Sequence, residues 1–321
     1  MKDEKNAKTD YARLSNIKIV SDVKPKYNDI DISVFSNSKY SSSIKKFVEV
    51  MTNEIPSDQL VFLYNNFNEL KIKDSNLYFY NLINRCYKSD AIYRSKHNTI
   101  TFSDRIDEFS IFHELLHVAT TIMLNKTDVH TGFSVYYEKP LLSLGRGINE
   151  GYTELMVKKY FAGCKQDYFS GYDYHLDVAQ IIDKIVGSNK MQELYFKANL
   201  RGLIEEMSNY ISVSDVVNFL IDCDVLVNYE SRKLGRYEDS IREEIETRVC
   251  KMLIKMVSNK ITELVKEGKI DSKIAEEEYL KYFENSRYYM NVCSLLIQYK
   301  TKNRSLIEPA DDSLKEGKHI V

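Results

Sequence analysis

No two of the five cysteines (Cys86, Cys164, Cys223, Cys250 and Cys293) form a C-x-x-C pair, and their number is odd. That scatter excludes a disulfide framework or a thiolate zinc site, and it fits reduced thiols in a cytoplasmic protein. Neither sign of charge prevails: 45 Lys and Arg are interspersed with 47 Asp and Glu, for a net charge of -2. Such a balance calls for no nucleic acid and no anionic membrane. No window approaches the ~18 consecutive apolar residues that cross a bilayer. Met1 to Thr9 is polar and lacks the apolar core of a signal peptide. No repeat of solenoid period occurs. What remains is a soluble chain of 321 residues, 43% apolar, long enough for two packed lobes.

Periodicity supplies the first outline. The stretch to Asn28 has little apolar pattern and is expected to be loose, whereas Ile30–Phe35 mostly alternates and reads as a short strand. Helices are predicted around Ser42–Asn53 and Ser57–Leu70. In the second, Ser57 or Asp58 serves as cap, and Leu60, Leu63, Phe67 and Leu70 fall at helical spacing. The run Leu77–Tyr87 fits helix or strand equally. Ala91–Tyr93 and Thr99–Phe102 flank the polar turn Lys96-His97-Asn98 and predict a β-hairpin.

Ser103-Asp104 then offers an N-cap for a helix over 105–124, with Phe109, Phe112, Leu116, Ala119 and Met123 as its apolar stripe. Gly132, Pro140, Gly145 and Gly147 make Thr127–Gly147 a loop or small hairpin. Asn149 is placed to cap a helix running from Glu150 to Phe161. From Leu176 to Tyr299 the pattern is helical, with breaks at Gly187-Ser188-Asn189, at Ser212-Val213-Ser214 and at Gly235.

Within the predicted helix 105–124 lies His113-Glu114-Leu115-Leu116-His117, an H-E-x-x-H motif. Positions i and i+4 share one helix face, so both imidazoles reach a single zinc ion. Glu114 sits beside that ion without ligating it, where it can take a proton from metal-activated water. A catalytic zinc wants three protein ligands and an open position. The extended form with a third His is missing, because Thr120 stands where it requires Gly. Downstream, Asn149-Glu150-Gly151-Tyr152-Thr153-Glu154 sets two carboxylates one helical turn apart. Either can ligate while the other braces a zinc-bound histidine. His97 and His130 read as turn or surface residues.

H-E-L-L-H followed by N-E-G-Y-T-E resembles the gluzincins, zinc peptidases that take two His from H-E-x-x-H and a Glu from a second helix. Asn149-Glu150-Gly151 looks like the N-E-G/S-F-A segment of the aminopeptidase branch, and Glu150…Glu154 like the E-x-x-x-D of the thermolysin branch. The likeness spans roughly Ile92 to Tyr160. It implies that Glu150 is the third ligand, that Glu154 braces His113 with Asn149 nearby, and that Glu114 is the general base. It also implies that a downstream residue, Tyr174 or His175 of the Tyr172–His175 cluster, steadies the oxyanion. The G-x-M-E-N segment that binds a substrate amine is missing, so aminopeptidase specificity does not carry over. The strand Thr99–Phe102 offers an edge on which an extended substrate can pair.

The expected fold is α+β and predominantly helical: a small antiparallel sheet and the H-E-x-x-H helix in one lobe, a helical C-terminal lobe, and zinc in the cleft between. The stretches are a loose segment over 1–28, a metal-bearing lobe over 29–165, a helical lobe over 166–300 and a flexible tail over 301–321. One zinc per chain and a peptide or protein substrate follow from the likeness. A regulatory peptidase with a single cellular target and an inactive zincin-like binding protein are the alternatives. No helix-turn-helix is present to favour the former.

Overall fold

The computed structural model describes residues 30–74, 91–103, 106–138, 142–163, 172–230 and 236–301. The expectations for 1–28, Leu77–Tyr87, the Asp104 cap, Gly235 and the tail beyond Thr301 lie outside the described residues. The fold is α+β and predominantly helical. Helices α1 (Ser41–Glu54) and α2 (Val61–Phe67) lead into strand β1 (Lys71–Asp74), followed by the hairpin β2 (Ala91–Arg94) and β3 (Thr99–Phe102). The motif helix α3 (Glu108–Ala119) is followed by strands β4 (Thr121–Met123), β5 (Val129–Thr131), β6 (Ser134–Tyr137) and β7 (Leu142–Leu144). From there the chain is helical: α4 (Arg146–Tyr160), α5 (Asp173–Val186), α6 (Ser188–Phe196), α7 (Leu200–Met207), α8 (Val213–Glu230), α9 (Arg236–Lys266), α10 (Ala275–Phe283) and α11 (Tyr289–Thr301).

Two small sheets are formed. The first is mixed, in the order β1-β3-β2, with β1 parallel and β2 antiparallel to the central strand. Each residue of β3 is β-branched or aromatic and all four are buried, as a central strand demands. The second sheet is an antiparallel meander, β4-β5-β6-β7, where the sequence suggested only a loop or a small hairpin. A single cluster of buried apolar residues runs from Phe35 to Leu296 and joins both halves of the chain.

Several elements differ from expectation for local reasons. Ile32–Phe35 is a 3₁₀ turn rather than a strand, because Asp31 caps it by accepting from Ser33 N–H at 3.0 Å. Helix α3 stops at Ala119, not at residue 124. The hydroxyls of Thr120 and Thr121 turn back onto the carbonyls of Leu116 (2.9 Å) and His117 (2.7 Å), and the β-branched Thr121-Ile122 pair then enters β4. Met123 thus leaves the helical stripe and is exposed on the strand. His130 is buried in β5, its Nδ1 facing the Ala198 carbonyl at 3.3 Å, and is not a surface residue.

Helix α2 starts at Val61 rather than Ser57, and helix α4 at Arg146 rather than Glu150. The latter begins behind Gly145, which stands in the left-handed region at φ 84°. Asn149 therefore lies inside the helix and does not cap it. The orphan amides at this helix start are met from α8: Asp224 accepts from Gly145 N–H at 2.8 Å and from Gly147 N–H at 2.7 Å. Burial pushes the Asp224 carboxyl up to about 7 against those two donors. Along the same helix, Gly147 lies against the Cys223 carbonyl and Gly151 against the His175 carbonyl, so α8 and α5 touch its backbone.

A Cβ at Gly151 would stand 2.0 Å from the His175 carbonyl oxygen, and main chain cannot swing aside. Alanine in a helix ordinarily gains about 1 kcal/mol over glycine. Overpacking of this kind costs about 1–3 kcal/mol or more and reverses the sign. Gly151→Ala is expected to lower the denaturant midpoint; a midpoint at or above that of the parent protein would show that α4 can move away from α5.

Candidate metal centre

The motif helix is anchored before it presents any chemistry. Asp107 caps α3 by accepting from Ser110 N–H at 2.7 Å. Phe112 joins a stack in which Phe47 faces Phe67, Phe112 and Phe161 with ring centroids 5.5–6.3 Å apart. That packing turns one side of α3 to the core and leaves His113 and His117 on the side facing α4. Their rings lie 4.7 Å apart and nearly perpendicular, and the two residues are 5% and 7% exposed.

Glu150, the fifth residue of α4, completes the cluster. Its Oε2 lies 3.1 Å from His113 Nε2 and 3.4 Å from His117 Nε2, and the two Nε2 atoms are 3.0 Å apart. Three ligand atoms at ~2.0–2.1 Å from a tetrahedral ion stand about 3.3 Å from one another. The triangle observed has that size. His113, His117 and Glu150 can therefore hold a metal ion.

No family model, curated protein or solved structure matches this chain. The arrangement must therefore be read from its own chemistry.

The charges are interdependent. Burial pulls the His113 pKa down, but hydrogen bonds to Glu150 and Glu154 outweigh it and hold the ring well above its usual value. Burial raises Glu150, yet the two imidazoles bring its carboxyl well below the ordinary range. Both shifts favour the charged forms of imidazole and carboxylate, and a dication bound there competes with the imidazole's proton.

Around the triangle the other site residues take distinct places. Glu154 is 4% exposed and puts Oε1 3.3 Å from His113 Nδ1, on the far side of the ring from the converging atoms. A carboxylate there favours a proton on Nδ1 and leaves Nε2 for a metal. The Asn149 amide nitrogen lies 3.4 Å from His117 Nδ1, and its oxygen accepts from Phe133 N–H at 2.9 Å. Glu114 is half-buried, and its Oε2 accepts from the backbone N–H of Tyr93 on β2 at 2.7 Å. Burial raises its carboxyl above the ordinary range, although both imidazoles and the Tyr93 amide pull it back.

Tyr174 and His175 are not at this centre. His175 is fully buried, with Nε2 donating to the Cys223 carbonyl at 2.9 Å, and Tyr174 packs edge-on against Tyr288 under Arg287. Both belong to the packing of α5. The residue before that helix, Tyr172, is the one that faces the site: its ring stacks on His113 at 5.8 Å and 10°. The negative charge of Glu150, then burial, hold its phenol well above the usual value, so the hydroxyl keeps its proton. Nor is Thr99–Phe102 an edge. It is the middle strand, and β1 and β2 flank it on either side among the described residues.

Proposed function

We propose that the protein is a zinc-dependent peptidase, hydrolysing peptide bonds with one zinc per chain held by His113, His117 and Glu150. The observation that carries this reading is the tetrahedrally sized triangle of donors with a carboxylate, Glu114, next to it and outside it. Two imidazoles and one carboxylate suit zinc and leave a fourth position open. Bound there, zinc would supply Lewis acidity toward water and a substrate carbonyl. The chain does the rest. Glu114, steadied by the Tyr93 amide and made more basic by burial, accepts a proton from water and returns it to the leaving amine. Glu154 keeps the His113 ring in register.

Tyr172 is assigned the donation to the developing oxyanion, since its protonated hydroxyl belongs to the ring stacked on His113. Tyr172→Phe is expected to lower kcat by roughly two to three orders of magnitude at unchanged metal content. Unchanged kinetics in that variant would remove Tyr172 from the reaction.

Reconstitution followed by elemental analysis should find close to one zinc per chain, and a chelator should stop cleavage of a diverse peptide library. Because uptake displaces the proton held on His113, zinc affinity should rise with pH across neutrality. Zinc far below stoichiometric after reconstitution would sink the assignment.

A further inference from the structure

An open cleft of about 910 Å³ is lined by the end of α2, strand β1, the turn between β2 and β3, and β4. Two residues of its wall are tied directly to the motif helix: Tyr93 through its amide on Glu114 (2.7 Å), and Thr121 through its hydroxyl on the His117 carbonyl (2.7 Å). The cleft therefore shares its wall with the motif helix, although none of His113, Glu114, His117 and Glu150 lines it. Its frame is fixed in advance. Asn66 donates to the carbonyls of Val118 (2.8 Å) and Thr121 (2.6 Å), and Asn98 donates to the Asn66 carbonyl (2.8 Å).

Its charge departs from that of the chain. Lys71, Lys73 and Lys96 line it, all exposed, against one acid, Glu69. Among the described residues no carboxylate pairs with Lys71, Lys73 or Lys96. Lys96 instead rests over the Tyr136 ring at 4.8 Å. Three unneutralised ammonium groups around one concave surface set up a local positive field in a protein of net charge -2.

We propose that this cleft binds an acidic stretch of the peptide substrate, apart from the bond to be cut. The proposal rests on the peptidase reading and names its substrate class. Lys71 and Lys73 stand on β1 and Lys96 on the turn between β2 and β3, so acidic side chains of a bound peptide meet ammonium groups from two sides of the cleft. A peptide fits better than a nucleic acid, because among the described residues Tyr93 is the one phenyl-type ring in the lining and its hydroxyl is 3.2 Å from Asn98 Oδ1.

The test measures binding and cleavage separately on the full chain. Fluorescence anisotropy compares a glutamate-rich labelled peptide with its glutamine counterpart, for the parent protein and for a Lys71→Ser/Lys73→Ser/Lys96→Ser variant. These exposed side chains leave the fold intact when shortened. The glutamate peptide should bind the parent about tenfold tighter, and high salt or the triple variant should erase the difference. Equal affinity for the two peptides overturns the proposal, as does tighter binding of an oligonucleotide of equal charge. Library cleavage with no acidic bias overturns it too, while leaving the peptidase reading in place. Preference for the glutamate peptide without any cleavage keeps the acidic-segment site and removes the peptidase reading instead.

Discussion

Glu114→Gln is expected to lower peptide hydrolysis by about 10²–10⁴-fold while leaving zinc content and thermal midpoint close to those of the parent. Glutamine has the same shape, and its amide oxygen can still accept from the Tyr93 N–H, so the link to β2 survives. Glu114 is not one of the converging ligand atoms, so the metal triangle is untouched. Only the proton acceptor is lost. Turnover on a verified peptide together with metal analysis decides the matter. A variant that keeps full turnover and full zinc would require another base.

Glu150→Ala and Glu154→Ala are expected to separate sharply in metal affinity. Glu150 supplies one of three donors, so its loss should remove most of the affinity and all detectable hydrolysis. Glu154 touches His113 only at Nδ1, behind the ring. Removing such a brace typically costs about 10–100-fold in affinity or activity, so that variant should still fill at high zinc. Titration against a chromophoric chelator measures both. If Glu154→Ala lost more zinc than Glu150→Ala, the two glutamates would exchange roles.

The sequence made the motif helix legible because its stripe, its histidine spacing and its cap type are all local. Asp107 replaced the expected cap, but the face presented was the same. The start of α4 was illegible because the group that meets its amides, Asp224, belongs to a helix far along the chain. Asn149 has the right chemistry for a cap, and was drawn instead to the Phe133 amide and toward His117. The choice among Tyr172, Tyr174 and His175 turns on where α5 begins. Successive helical residues point about 100° apart. A start at Asp173 therefore sends Tyr174 and His175 into the core and leaves Tyr172 beside His113. The outer position of β2 was likewise hidden, since only the long-range pairing of β1 with β3 puts β3 in the middle.

Gly147 and Gly151 make α4 lean on the carbonyls of Cys223 and His175, so apart from the Asp224 carboxylate at its start the station of Glu150 is gauged against main chain. A ruler made of peptide groups reads the same whatever residues it carries. The C-terminal helices are thereby free to exchange most of their side chains for others of similar bulk without moving the third donor. The two glycines have no such freedom. A library that randomises the surfaces of α5 and α8 should keep its zinc, whereas one that randomises positions 147 and 151 should return glycine at both.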